Sequence, residues 1–177
     1  MKNLEKINLR KNEIMLSLTK EENMKTLNAD PLTVKTIYDV EHTLFDNAYL
    51  HLEQSKIYYP DFKNWFYSKV VPGVISGKRK IIIETRNDNV AGIAIIKKHN
   101  EIKLSTLKVS DSFKNSGLGL KLFEKCFTAL NTEKPFLTVS EEKLPEFKRI
   151  FDYYGFKLTN IENNVYRHGK KEYYYNE

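Results

Sequence analysis

The sequence contains only one cysteine, one tryptophan and five prolines in 177 residues. The single cysteine, Cys126, excludes an intrachain disulfide and a cysteine-ligated zinc cluster, and the four histidines show no paired spacing, so we expect no metal site. No apolar run approaches the roughly 18 residues that a membrane-spanning helix needs. The first residues also lack the apolar core of a secretory signal. We therefore expect a cytoplasmic protein that does not interact with a membrane.

The composition is otherwise that of a globular protein. Hydrophobic residues make up 41% and charged residues 29%, which excludes a disordered or collagen-like chain. The length predicts a single domain over 1–177, with a helical part at 1–77 and a sheet-containing core at 78–177. The 29 lysines and arginines exceed the 23 aspartates and glutamates by six. This excess favours anionic partners such as a phosphate-bearing cofactor or RNA, although a lysine-rich surface explains it more simply.

The first half of the chain predicts one short strand and two helices. Apolar residues alternate over 14–18 as in a strand, and they recur at a helical period over 34–48. A second helix follows over 62–70, and we expect Pro72-Gly73 and Ser76-Gly77 to bring it to an end. In the aromatic segment between the helices, Tyr58 and Tyr59 suit either a core or an acceptor pocket.

From residue 80 the pattern changes to short β-branched segments separated by polar turns. Segments 80–84, 90–96 and 102–109 predict an antiparallel meander. The later elements are a helix at 118–130, a strand at 135–139, a helix at 144–154 ended by Gly155, and strands at 157–161 and 165–175. This order predicts a mixed sheet flanked by helices, in an α+β or three-layer α/β domain.

The segment from Val109 to Gly119 carries the clearest chemical signal, because a strand ends there and a glycine-containing loop begins a helix. The first amides of a helix have no intrahelical acceptor, and the helix dipole adds about half a positive charge. Gly117 and Gly119 would let an anion approach these amides, and Lys114 adds a cation, as a pyrophosphate site requires. Two glycines at a helix start are also a common packing device, so the loop alone leaves both explanations open.

Two motifs resemble those of the GNAT superfamily of acetyl-CoA-dependent N-acyltransferases. Leu107-Lys108-Val109 followed by Lys114-Asn115-Ser116-Gly117-Leu118-Gly119 is similar to the family's strand and Gln/Arg-x-x-Gly-x-Gly/Ala loop. Leu137-Thr138-Val139 followed by Phe151-Asp152-Tyr153-Tyr154-Gly155-Phe156 is similar to its next strand, helix and Gly-Phe. The order of elements from about residue 78 to 175 also resembles that family.

The resemblance implies a GNAT-like fold, with a mixed, mostly antiparallel central sheet and helices on both faces. It implies an N-acetyltransferase with acetyl-CoA as co-substrate, in which an amine attacks the thioester directly. The strand backbone would bind the pantetheine arm, and the loop amides would bind the pyrophosphate. The implied acetyl-CoA-binding residues are Leu107, Lys108, Val109, Lys114, Asn115, Ser116, Gly117, Leu118, Gly119 and Leu120.

The sequence departs from the family at the positions of the acid and the base. Strand 103–108 carries no carboxylate, and Phe151 occupies the position at which many members place an acidic tyrosine. Tyr153 or Tyr154 could supply a phenol to the departing thiolate, although the place of Tyr154 on an apolar helical stripe also suits the core. Ser105, or its neighbour Thr106, could hold a water that relays a proton. Glu84 is a candidate remote base.

The acceptor is not identified by the sequence. The resemblance implies a small-molecule or protein amine, with the aminoacyl group of a charged tRNA as a further alternative, and a homodimer is kept open. The missing acid and base favour a second hypothesis, a non-catalytic acyl-CoA-binding sensor or scaffold. A nucleic-acid-associated protein is the third hypothesis, but apart from the net charge only the aromatic, basic tail at 170–175 points towards it.

Overall fold

The computed structural model describes residues 43–177, and within them Phe45–Glu177 form one compact unit. The strand predicted over 14–18 and the start of the helix predicted from residue 34 lie outside the described residues. Within 43–177, no helix reaches the length and apolar character that crossing a bilayer requires.

The predicted meander is confirmed. It forms a three-stranded antiparallel sheet in the order β1-β2-β3, made of β1 (Arg79–Arg86), β2 (Asn89–Lys97) and β3 (Lys103–Val109). Asn87 and Asp88 connect the first two strands with φ values of 49° and 60°. Two left-handed residues give the type I′ turn, whose twist matches that of the flanking strands.

A second three-stranded antiparallel sheet has the order β4-β6-β5, with β4 (Leu137–Ser140), β5 (Leu158–Asn163) and β6 (Lys171–Tyr175). The prediction of a strand over 165–175 is wrong for the first half of that range, because the strand begins at Lys171. Asn164 and Gly169 have left-handed φ values of 62° and 72°. The Gly169 amide donates to Asn164 Oδ1 at 2.6 Å, which closes a turn and delays the strand to Lys171.

Helices α1 and α2 cover one face of the meander. Helix α1 (43–52) continues as the 3-10 turn Glu53–Ile57, and α2 comprises an α-helical turn Phe62–Trp65, a π-helical turn Phe66–Val70 and an α-helical turn Val71–Ile75. Their buried side chains pack against Ile81, Ile93 and Ile95.

Pro72-Gly73 do not end α2, contrary to the sequence prediction, because both lie inside its last turn, whereas Ser76-Gly77 mark its end as predicted. The π turn shifts the hydrogen-bonding register immediately before Pro72. The proline therefore stands at the start of the next α-helical turn, where its missing amide hydrogen is tolerated. The helix ends at Ile75, just before the left-handed Gly77.

Helices α3 (Leu118–Leu130) and α4 (Leu144–Tyr154) pack on the opposite side, against Ala94, Ile96 and β4. Ala94 and Ile96 alternate with Ile93 and Ile95 along β2, so each face of this strand is covered by helices. The predicted stripes and the Gly155 end of α4 are confirmed. The fold is thus the predicted mixed α/β (α+β) arrangement, with antiparallel sheets and helices on both faces.

Candidate functional site

The loop between β3 and α3 is tied to β2 at its first residue. Ser110 donates its amide to the carbonyl of Ala91 at 2.9 Å and its hydroxyl to the carbonyl of Val90 at 2.8 Å. Further along, the Ser116 hydroxyl donates to the carbonyl of Phe113 at 2.6 Å. These bonds hold the chain in place immediately before the first turn of α3.

Helix α3 begins with unpaired amides at an exposed loop. Its first helical hydrogen bond runs from the Lys121 amide to the Gly117 carbonyl at 3.1 Å, so the amides of Leu118, Gly119 and Leu120 have no intrahelical acceptor. Gly117 is the N-cap residue and has no side chain to bind them. The amides and the helix dipole together suit an anion.

Close helix packing requires neither glycine of this loop. Gly117 has φ 78°, and a Cβ added there would meet no atom within 4 Å. A Cβ at Gly119 would lie 3.8 Å from Val109 Cγ2 and 3.9 Å from Ile150 Cδ1, which is ordinary contact. Close helix packing therefore does not require Gly117, and its open surface leaves room for a ligand.

The two lysines predicted at this site point in different directions. Lys114 lies in the exposed loop, and its Nζ is 2.8 Å from Asp111 Oδ1. Lys108 extends to the other face of the sheet, where its Nζ donates to the carbonyl of His51 at 2.8 Å and to Gln54 Oε1 at 3.2 Å. Only Lys114 therefore lies beside the α3 amides.

The two sheets meet at one point and then separate. Lys103 and Phe136 form a single parallel bridge, in which the Leu104 amide donates to the Phe136 carbonyl and the Phe136 amide donates to the Ile102 carbonyl, both at 3.0 Å. Beyond it, β3 pairs with β2 and β4 pairs with β6, with no β3–β4 ladder among the described residues. A gap therefore opens towards the carboxyl ends of both strands.

A β-bulge decides which backbone groups of β3 face this gap. Leu104 and Thr106 pair with consecutive residues of β2, which leaves Ser105 as the extra residue. Ser110 bonds to β2, and successive residues of a strand alternate between its two edges. The amides and carbonyls of Leu107 and Val109 therefore point into the gap, whereas those of Lys108 point to β2.

On the face opposite α3 and α4, the second sheet carries a polar pocket. Val139 and Tyr175 point into the core under these helices, so their alternating neighbours Ser140 and Glu172 point the other way. Ser140 and Glu172 are cross-strand partners and are only 2% and 3% exposed. The lining of this β4–β6 pocket comprises Tyr58, Ser140, Val165, Tyr166, Arg167, Lys170, Lys171 and Glu172.

A phenol from the segment between α1 and α2 reaches this pocket. The Tyr59 hydroxyl donates to Glu172 Oε1 at 3.1 Å, and the Tyr59 ring lies edge-on to Tyr166 with centroids 4.9 Å apart. Burial raises the pKa of Glu172, and the hydroxyls of Thr138 and Tyr59 partly oppose this rise. Burial also raises the pKa of the Tyr59 phenol, and the adjacent Glu172 raises it further.

The Ser140 hydroxyl is a buried polar atom with no hydrogen-bond partner among the described residues. Leaving such a group unpaired costs roughly 1–3 kcal/mol. The pocket that it shares with Glu172 has a volume of about 10 Å³, which admits a group the size of a water molecule or an ammonium head. Such a group would find two oxygens side by side that can accept hydrogen bonds.

The family is decided by the comparison of the sequence with family profiles. The profile of the acetyltransferase (GNAT) domain matches residues 52–172, which is more than half of the chain. The chain belongs to the GNAT acetyltransferase family. Enzymes of this family use acetyl-CoA as co-substrate. A search of curated proteins finds no match.

Solved GNAT structures share the fold. A GNAT-family protein from Desulfovibrio desulfuricans gives a TM-score of 0.52 at 19% identity, covering 63% of this chain and 75% of that one. An acetyltransferase of the GNAT family from Bacillus cereus gives 0.51 at 18%, covering 63% and 77%. An aminoglycoside 6′-N-acetyltransferase complexed with coenzyme A gives 0.53 at 11%, covering 82% and 90%.

The two catalytic candidates from the sequence lie apart in this GNAT domain. Tyr154 packs its ring edge-on against Phe127 at 4.9 Å and directs its hydroxyl to Glu124 Oε1 at 3.5 Å, on the α3–α4 side. Ser105 lies on β3, where its Oγ accepts a hydrogen bond from Arg79 Nη1 at 3.1 Å. The structure therefore does not bring Tyr154 and Ser105 together.

Other candidate residues have structural partners. Glu84 is buried and forms ion pairs with Lys121, at 3.2 Å, and with Lys125, both on α3. Cys126 is fully buried in the core, and burial raises the pKa of its thiol to about 12, as expected for an apolar filler. Phe151 is buried among aromatic rings, with Tyr175 at 4.6 Å.

Glu172 is the buried carboxylate that the sequence did not single out. Its signal is weak, because it is one acidic residue in a tail of lysines and tyrosines. Pairing of β6 between β4 and β5 buries it, and this pairing joins segments far apart in the sequence. An alternation test on 171–175 would have placed Glu172 on the face opposite Tyr173 and Tyr175.

Proposed function

We propose that this chain transfers the acetyl group of acetyl-CoA to an amine that attacks the thioester directly. The observation that carries this proposal is the gap between β3 and β4, which opens beside the unpaired amides at the start of α3. A linear thiol carrier with a diphosphate matches this arrangement, because an extended arm can bond to strand edges while the diphosphate meets a helix N-terminus.

Each part of the carrier has residues suited to it. The amides from Asn115 through Leu120 would bind the pyrophosphate, and the open surface at Gly117 leaves room for it. Lys114 is exposed and can move from Asp111 to a phosphate. The gap-facing backbone of Leu107 and Val109 would bond to the pantetheine arm in the manner of an added strand.

Catalysis in this arrangement depends mainly on position. Holding an amine and an activated acetyl group together removes about 7–11 kcal/mol of entropic barrier in favourable cases. The acceptor would enter from the face of the β4–β6 pocket, because α3 and α4 cover the other face. We keep both small-molecule and protein amines as acceptors. Ser105 stays a candidate for holding a proton-relaying water.

The release of free CoA thiol tests the transfer. We would incubate the full chain with acetyl-CoA and, in turn, ethylamine, trifluoroethylamine, benzylamine, spermidine and a peptide with a free N-terminus. Release above the rate of hydrolysis, with the acetylated amine detected by mass spectrometry, supports an acetyltransferase. Acetyl-CoA binding without release of CoA thiol supports the non-catalytic sensor instead. That alternative rests on Phe151, which is buried and cannot donate a proton to the thiolate.

Tyr154→Phe is expected to lower kcat/KM by less than about tenfold, because the Tyr154 hydroxyl points to Glu124 on the helical side. Steady-state thiol release with the best amine of the panel measures this effect. Tyr153→Phe tests the other candidate phenol, which is exposed, and should have an equally small effect. A loss above about a hundredfold, or roughly 2.7 kcal/mol of transition-state stabilisation, would instead make Tyr154 the general acid.

A further inference from the structure

We propose that Glu172 is the proton acceptor for the incoming amine and that Ser140 and Tyr59 position the proton transfer. This inference rests on the proposed acetyl transfer and assigns the base that strand 103–108 lacks. It stands on the geometry of the β4–β6 pocket, where a buried carboxylate and a buried hydroxyl lie side by side.

The carboxylate of Glu172 is buried without a cationic partner. Among the described residues no lysine or arginine nitrogen lies within 4 Å of it, whereas Arg167 and Lys170 of the pocket pair with other acids. Arg167 Nη2 is 2.7 Å from Glu142 Oε2, and Lys170 Nζ is 3.1 Å from Glu141 Oε1. A buried charge that lacks a partner is costly. A cationic ligand would relieve this cost, and a protonated amine is such a ligand.

The Ser140 hydroxyl is the second, independent indication of a ligand. It is 2% exposed, has no partner among the described residues and lines the same pocket as Glu172. A primary ammonium group has three N–H donors and no acceptor. Ser140 Oγ and a Glu172 carboxylate oxygen can accept two of them and leave the amine nitrogen fixed at the edge of β4.

This position suits attack on a thioester held between β3 and β4. Strand β6 lies beside β4 on the side away from β3, at the usual strand spacing of about 4.8 Å. Glu172 pairs with Ser140 at the carboxyl end of β4, which is the end towards which the gap opens. An amine bound at Glu172 on β6 would therefore reach a thioester in the gap by crossing the end of β4.

The proton and electron balance of the step is complete without further reactants. The ammonium gives one proton to Glu172, and the nitrogen lone pair forms the C–N bond to the acetyl carbonyl carbon. The C–S bond breaks, the CoA thiolate leaves with its electron pair, and it takes up the second proton lost from nitrogen. Glu172 then releases its proton to solvent, so the products are the amide, CoA thiol and one proton.

The surroundings of Glu172 set its strength as a base. The titratable groups that face it are Tyr59 before α2, Lys103 on β3, Tyr166 and Arg167 on the β5–β6 loop, Glu162 opposite it on β5, and Tyr174 on β6 itself. Tyr58, Lys170 and Lys171 also line its pocket. Burial raises its pKa and so brings the carboxylate closer to an amine in basicity, which favours general-base catalysis. The hydrogen bond from Tyr59 stabilises the ionised carboxylate and partly opposes this rise in pKa.

A pair of amines of matched shape tests the role of Glu172. Ethylamine is protonated at pH 7.5, whereas trifluoroethylamine is largely neutral and needs no base before attack. We expect Glu172→Gln to lower kcat/KM for ethylamine by about 10²–10⁴-fold, and to change that for trifluoroethylamine by less than about threefold. Glu133→Gln, at an exposed position beyond α3 and outside the pocket, is the control and should leave both values within about threefold.

Two further readouts separate proton transfer from a structural role. Tyr59→Phe removes a hydrogen bond that lowers the pKa of Glu172, so the acidic limb of the kcat/KM profile should move to higher pH. Because Glu172 binds its proton more tightly in the folded state, its charge reduces stability above its unfolded pKa of about 4.5. Glu172→Gln should therefore not lower Tm at pH 7.5, and stabilisation by acetyl-CoA should persist.

The outcomes distinguish this inference from the proposed function. An unchanged rate with ethylamine, or an equal loss with both amines, overturns the role of Glu172 while acetyl transfer by the wild type stands. If the wild type binds acetyl-CoA and acetylates no amine, the transferase proposal fails, and the role of Glu172 as a base fails with it. A selective loss with ethylamine supports the assignment.

Discussion

Gly117→Glu is expected to abolish the stabilisation of the protein by acetyl-CoA. In the wild type, acetyl-CoA at a hundredfold excess over Kd should stabilise the folded state by about 2.7 kcal/mol, which raises Tm by roughly 5–10 °C for a chain of this size. The glutamate would place a carboxylate where the pyrophosphate meets the amides of α3, so charge and volume both oppose binding. A thermal melt with and without acetyl-CoA measures the difference.

Gly77→Glu is a closely matched control. Gly77 also has a left-handed backbone, with φ 71°, and a Cβ there likewise meets no atom within 4 Å. Both variants therefore carry a similar backbone penalty of about 1–2 kcal/mol, but only Gly117 precedes the unpaired amides. A full acetyl-CoA shift in Gly117→Glu, equal to that of Gly77→Glu, would place the carrier elsewhere on the chain.

The largest effect on stability is expected from Phe123→Ala. Phe123 is 1% exposed and contacts the rings of Phe127, Phe147, Phe151 and Phe156, with centroids 5.8 to 6.4 Å apart. Removing it leaves a cavity between α3, α4 and the sheets, and such changes cost about 3–5 kcal/mol. Urea unfolding should show a lower midpoint with an unchanged slope.

Tyr153→Ala is the control for this prediction. Tyr153 lies on α4 but is 75% exposed, so its truncation should cost less than about 1 kcal/mol. If Phe123→Ala proves as mild as Tyr153→Ala, the aromatic contacts do not hold α3 and α4 against the sheets. The position of the α3 amides relative to β3 would then need another explanation.

The sequence predicted the elements that local patterns specify. The β-branched segments and the polar turns between them predicted the meander, and the apolar helical pattern predicted α3 and α4 with Gly155 at the end of α4. Gly117 was predicted as part of an anion site, and the structure adds that its surface is open. These features depend on residues that are close together in the chain, so the sequence alone is enough to predict them.

The features that the sequence missed depend on contacts between distant segments. The bulge at Ser105 decides that Leu107 and Val109 face the gap, and no local pattern specifies it. Glu172 lies on a strand that inserts between β4 and β5, and Tyr59 and the β5–β6 loop cover it. The π turn that admits Pro72 into α2 also overrides a local rule. Pairing and burial, rather than propensity, determine each of these.

Isothermal titration of acetyl-CoA into the full chain tests the pyrophosphate site and the β3–β4 gap most directly. We expect heat of binding for one molecule per chain, with a Kd below about 1 mM, and no heat for Gly117→Glu under the same conditions. The absence of heat with the wild-type chain at millimolar acetyl-CoA, while the protein remains folded, would contradict both the site and the acetyl transfer proposed from it.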